Sequence, residues 1–167
     1  MSKSDLRMDA VGTIDELNST IGWVLATRDS DAKVSRILGP IQTELLTVGA
    51  IVASVGAGSD CAAKVKFQAE SAERIRRQTS EVTKDLPPLS RFVAPAGCEL
   101  ACRLHIARTV CRRAERAVVR VAELSPDMPG TILQHINCLS DLLFALARMA
   151  NSERGHPEKT WRGGDWQ

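Results

Sequence analysis

Tyrosine is absent from this sequence, and aromatic residues make up only 4% of it. A platform for single-stranded nucleic acid needs stacking rings, so that class is excluded. One-signed charge is missing too. The formal net charge is +2, too small for a general polyanion binder, and any anion site has to come from local clustering. No Cys-x-x-Cys pair exists, no secretory leader is seen, and five cysteines cannot all pair. Reduced thiols and a cytoplasmic setting are the expectation. No apolar run approaches the ~20 residues of a membrane span. Strand-like alternation and internal repeats are also lacking.

Helical periodicity is what remains. The 167 residues suffice for one domain with a sizeable core, with residues 1–9 extended or mobile and 152–167 a tail that packs on the bundle or stays disordered. Val11, Ile14, Leu17, Ile21 and Val24 predict a helix over about 10–28. A second spans about 33–54, with Pro40 expected to kink it or delay its start. Gly56-Ala57-Gly58-Ser59 lacks the lysine and spacing of a P-loop and reads as a break. A third helix, about 66–84, is charged on most faces and should be the most exposed. Pro87-Pro88 stops it, and Arg91-Phe92-Val93-Ala94-Pro95-Ala96-Gly97 is an extended linker, in which Phe92, one of three phenylalanines, reads from the residues alone as a core plug for a loop. The fourth helix, about 99–124, and the fifth, about 131–151, follow. The expected fold is all-α, an antiparallel bundle of four to five helices with short connections.

The fourth helix carries the densest charge. Arg108, Arg112 and Glu115 stand at i, i+4 and i+7 and share a face, which suits a wall for a highly charged anion. Arg113 and Arg116 point elsewhere. Asp15 and Asn18 lie on one side of the first helix, and Asn137 and Asp141 sit at i, i+4 on the fifth. Arginine grips polyphosphate through two parallel charged hydrogen bonds, and a nearby carboxylate holds Mg²⁺ or orients the arginine. These residues fit a nucleotide site and a set of interhelical ion pairs equally well. Other chemistry fits less. The Glu-x-x-His pairs of a di-metal bundle are missing. Cys98, Cys102 and His105 have a spacing that could face a zinc ion, but free cysteine is a common small core residue. Nothing suggests a nucleophilic triad.

Several stretches resemble a known family. Gly12-Thr-Ile-Asp-Glu-Leu-Asn-Ser-Thr-Ile-Gly22 is similar to the first-helix signature of PduO-type ATP:cob(I)alamin adenosyltransferases. Arg108-Thr-Val-Cys-Arg-Arg-Ala-Glu-Arg116 resembles their fourth-helix signature, and Asn137-Cys-Leu-Ser-Asp-Leu-Leu-Phe-Ala-Leu-Ala-Arg148 their last-helix one. Phe92 to Gly97 resembles the loop between, and Ser2 to Arg7 the lead-in. The match runs nearly the whole chain, in order. The resemblance implies a homotrimer with active sites between subunits. It implies transfer of the 5′-deoxyadenosyl group of ATP to cob(I)alamin, with release of triphosphate. A reductase and an adenosylcobalamin-dependent enzyme are the implied partners.

The resemblance also implies roles. Phe92 occupies the place of cobalamin's lower axial ligand, Arg112 holds the triphosphate and Glu115 is the carboxylate beside it. Asn137 contacts the nucleotide, supported by Asp141. Asp15 and Arg108 form a salt bridge between subunits. Lys3 and Arg7 stand near the phosphates. No residue is assigned as a metal ligand, although Glu115 could neighbour a Mg²⁺ that accompanies ATP. Three departures accompany the match. The family's Thr-Gly-Asp-x-Gly-Thr-like phosphate loop would lie ahead of Met1, Gly97-Cys98 replaces Gly-Gly, and Cys138 stands where an arginine follows the asparagine. The alternative expectation is therefore a catalytically impaired relative that lacks the loop and binds or delivers corrinoid, or serves as a trimeric interaction protein.

Overall fold

The computed structural model describes residues 5–27, 32–56, 67–68, 70–162 and 165–166. Five helices account for most of them: α1 (Leu6–Leu25), α2 (Ala32–Ser54), α3 (Glu70–Thr83), α4 (Glu99–Leu124) and α5 (Gly130–Glu153). The expected all-α bundle is what forms. α4 packs between α1 and α5, α2 lies on α1, and α3 lies on α5. Glu44 of α2 and Arg74 of α3 join the two outer helices through an ion pair.

Apolar spacing explains which faces turn inward. Ile14, Leu17, Ile21 and Val24 bury one stripe of α1, and Leu104, Ala107, Cys111, Ala114, Val118 and Val121 bury one stripe of α4. α5 is the innermost helix, buried nearly all round from Leu142 to Asn151 apart from Phe144. α3 buries only Ser71, Ala72, Ile75 and Val82 and is the most polar of the five, as its sequence predicts. Among the described residues, α2 is long and apolar enough by length and composition to cross a bilayer. Its Val34, Leu38, Ile41, Leu45 and Val48 line the bundle core instead.

Three features differ from the sequence reading, while α2 keeps its expected bounds. α1 starts at Leu6, inside the stretch expected to be extended. Asp5 caps it by accepting from the Arg7 backbone N–H at 2.9 Å, and the Arg7 side chain binds the same carboxylate. The arginine side-chain bond, then the backbone bond, hold the Asp5 carboxyl down at about 2. α2 runs through Pro40 from Ala32. α3 begins at Glu70, so Phe67 precedes it and meets the His135 ring edge-on at 4.9 Å between centroids.

The third difference is in the tail. Trp161–Arg162 pairs antiparallel with Asp165–Trp166, in a chain expected to hold no strands. Two residues per strand are too few to show alternation, and the Gly-Gly between them is the only hairpin signal. The tail also pairs with the linker before α4. The Val93 and Thr160 backbones form an antiparallel bridge, Ala94 N–H donates to Lys159 O at 2.8 Å, and Trp161 N–H donates to Phe92 O at 3.0 Å. The expected extended linker is thus one side of a short backbone ladder.

Candidate active site

Cys111 sets the register of the two helices that carry most of the predicted site. Its thiol donates to the Ile136 carbonyl at 3.3 Å, so mid-α4 and early α5 lie side by side. Burial pushes that thiol far up, and the charges of Glu115 and Asp141 push the same way against Arg112. One buried sulfur therefore feels three of the predicted site residues. Arg112 Nη1 lies 3.0 Å from Glu115 Oε2, with the arginine half exposed. Asn137 and Asp141 are exposed on the neighbouring turns of α5. The structure brings together Arg112, Glu115, Asn137 and Asp141 as one open polar face.

Asp15 and Arg108 are not brought together within one chain. Asp15 is exposed and has no ion pair among the described residues. Across the α1–α4 seam, Glu16 pairs with Arg113 instead, and Asp9 pairs with Arg120 at 2.8 Å. Arg113 was expected to point away from the site, and this ion pair is where it points. The Arg108 guanidinium lies over the Phe144 ring at 5.8 Å, with Nε buried and without a partner. Asn18 presents a second buried orphan, its Oδ1. Buried polar atoms of this kind carry a desolvation penalty unless something bonds them.

Arg7 sits elsewhere. Its guanidinium is held by Asp5 and donates to Val55 O at 2.7 Å, beside the C-terminal end of α4. That geometry makes it first a cap and a staple between α1 and the end of α2. Lys3 lies outside the described residues. Phe92 is 76% exposed, the most exposed large apolar side chain among those described. Leaving such a ring in water forgoes about 2 kcal/mol of burial, so its placement calls for an explanation other than packing. The reading of Phe92 as a core plug is thereby overturned.

The zinc spacing does not become a site. Cys98 is the N-cap of α4, its sulfur accepting from Ala101 N–H, and Cys102 donates to Gly97 O. His105 turns inward, its ring 6.1 Å from Phe144. Burial first, and then the Arg108 charge, push His105 down to about 4, so it is neutral at pH 7. Among the described residues no cluster of three His, Cys, Asp or Glu side chains could hold a metal.

Two residues outside the predicted set hold the linker. Arg148 is almost wholly buried and binds Glu158 through Nε at 2.6 Å and Nη2 at 3.1 Å, while Nη2 also donates to Pro87 O at 2.7 Å. Asn151 accepts from Cys98 N–H and donates to Ala96 O, both at 2.9 Å. The signal for Arg148 was present in the sequence as a charge in an otherwise apolar stretch; nothing there named Glu158 as its partner. Two concavities, of about 930 and 690 Å³, lie around this linker and tail. Arg112, Glu115 and Asn137 line neither, and Arg112 and Asn137 are open to solvent.

A family described as cobalamin adenosyltransferase matches residues 1–150. The chain belongs to that family. A corrinoid adenosyltransferase of Bacillus subtilis (strain 168) is 38% identical over 156 residues, covering 92% of this chain and 78% of the relative. One from Mycobacterium leprae (strain TN) is 34% identical over 168 residues, covering 98% and 86%. The fold is similar to that of a phenylalanine-to-alanine variant of the PduO-type ATP:corrinoid adenosyltransferase from Lactobacillus reuteri, complexed with cobalamin and ATP. The TM-score is 0.88 at 31% identity, covering 98% of this chain and 90% of that one. The activity is therefore that of a corrinoid adenosyltransferase, an alkyl-transferring enzyme.

Proposed function

We propose that the open face of Arg112, Glu115, Asn137 and Asp141 is one wall of an ATP site completed by a neighbouring subunit of a homotrimer. The observation that carries this is the pair of unsatisfied charges beside it. Among the described residues Asp15 has no ion partner, and Arg108 keeps a buried Nε with no hydrogen-bond partner. Two such groups on adjacent helices of one chain fit a salt bridge from Arg108 of one subunit to Asp15 of the next. Wall and closure would then come from different copies, which agrees with the half-exposed Arg112 side chain.

In this reading the nucleophile is the cobalt of cob(I)alamin, a substrate. A Co–C bond forms to the 5′ carbon of ATP as its bond to the triphosphate oxygen breaks. Arg112, half exposed and tethered by Glu115, is placed to take the charge that builds on the leaving triphosphate. The tether holds its planar fork in one orientation, which favours an in-line approach. Asn137 contacts the nucleotide and Asp141 supports it. Arg7, and Lys3 with it, would act as phosphate-side cations, although Arg7 first has to share its bond to Asp5. Mg²⁺ would arrive with ATP and have Glu115 as neighbour. Phe92 presents its exposed ring to the lower face of cobalamin and keeps the axial ligand off, which eases reduction to Co(I). The cellular setting in this reading is a reducing cytoplasm, where a reductase supplies electrons and an adenosylcobalamin-dependent enzyme takes the product.

The test is formation of adenosylcobalamin from ATP and chemically reduced cobalamin, followed by absorbance, on protein whose mass is measured by light scattering. The reading expects product and a trimer. A monomer with full activity would overturn the intersubunit site, and a trimer that binds corrinoid without turnover would favour the impaired-relative alternative.

A further inference from the structure

We infer that Trp161 and the Arg148–Glu158 pair are positioning residues for Phe92, and that tail residues 158–161 form a strap for the corrinoid. The inference rests on the reading of Phe92 given above. A ring that is 76% exposed has almost no packing to fix it, so its position has to come from its backbone and its few neighbours. Both lead to the tail. The Phe92 carbonyl accepts from Trp161 N–H at 3.0 Å, the Val93 bridge to Thr160 follows, and Ala94 N–H donates to Lys159 O. The Trp161 ring lies 6.5 Å from the Phe92 ring, tilted by 58°, and is itself 43% exposed. Two exposed rings side by side make an apolar surface suited to a flat macrocycle.

The strap has an anchor one residue before the ladder. Glu158 is held by the bidentate grip of Arg148, from the interior of α5, and the same guanidinium holds the linker at Pro87 O. One buried arginine thus fixes both strands whose pairing aims Phe92. The path is continuous: α5 core, Arg148, Glu158, residues 159–161, Phe92. This gives the tail a role in orienting the axial-face ring, separate from the ATP wall on α4.

The test uses the full protein loaded with ATP and cob(II)alamin. The readout is the share of bound cob(II)alamin without a lower axial ligand, from its visible and electron-paramagnetic-resonance spectra. Trp161→Ala and Glu158→Gln are each expected to lower that share about tenfold, the scale for a misplaced positioning group. ATP affinity should stay at the parent value in both variants and the melting temperature in Trp161→Ala, while Glu158→Gln should melt lower because it leaves the buried Arg148 without its carboxylate; Trp161→Phe should restore most of the signal. Phe92→Ala separates the two readings. If it leaves the share unchanged, the axial role of Phe92 fails and the strap with it. If it removes the signal while Trp161→Ala and Glu158→Gln both keep it, the strap alone is overturned. Should one variant fail to fold, the other decides.

Discussion

Glu16 pairs with Arg113 across the α1–α4 seam, while Asp15, one residue earlier on the same helix, points to solvent with no ion pair among the described residues. A helix turns about 100° per residue, so the two carboxylates serve different neighbours. Glu16 stitches the chain to itself. Asp15 is the carboxylate that the proposed contact with another copy would use. Charge reversal separates these roles. Asp15→Arg and Arg108→Asp should each lower the trimer fraction in light scattering, and the double reversal should recover it. Reversing Glu16 should leave the trimer nearly unchanged, since an exposed pair contributes about 0.2–1 kcal/mol.

Gly97 is required by geometry. Its φ is +123°, and a Cβ there would lie 1.9 Å from Asn151 Oδ1. That oxygen accepts from Cys98 N–H, at the cap of α4. Gly97→Ala should cost about 3 kcal/mol in chemical denaturation, from the left-handed backbone and the displaced asparagine together. A loss below about 0.5 kcal/mol would contradict this.

Two buried histidines predict acid sensitivity. His105 and His135 both sit at about 4, pushed down first by burial. His135 is set between Glu44, Ser71 and Arg74, and His105 feels Arg108 and Glu158. The unfolded chain takes up these protons near pH 6.5, and the folded chain only near 4. Stability should therefore be level above 6.5 and fall as pH drops from 6.5 to 4, by a few kcal/mol in all. His135→Gln should flatten the slope of denaturation midpoint against pH in that window. An unchanged slope would contradict the assignment for His135.

Much of the fold was legible because its helices bury regular stripes. Leu17, Ile21, Leu104, Val118, Leu139 and Leu143 are all inside, as their spacing predicts. The boundaries were less so. The start of α1 depends on Asp5 and Arg7 acting together, a two-residue device with no periodicity. Of the candidate site, the α4–α5 face was legible because i, i+4 spacing survives folding. The linker–tail ladder was not, since it joins residues nearly 70 positions apart through backbone bonds that side-chain pattern does not encode. Phe92 was visible as a rare ring in a loop, and only its exposure separates the axial role from a core plug.

Arg112 bears the central claim, that the α4 face holds the leaving triphosphate at a site shared between subunits. The decisive measurement is the rate of adenosylcobalamin formation by Arg112→Ala with ATP and chemically reduced cobalamin, beside the parent protein, with mass determined by light scattering. The expected result is an intact trimer whose rate falls by about a hundredfold or more, as when a charge-stabilising donor is removed. A trimer turning over at the parental rate would contradict the claim.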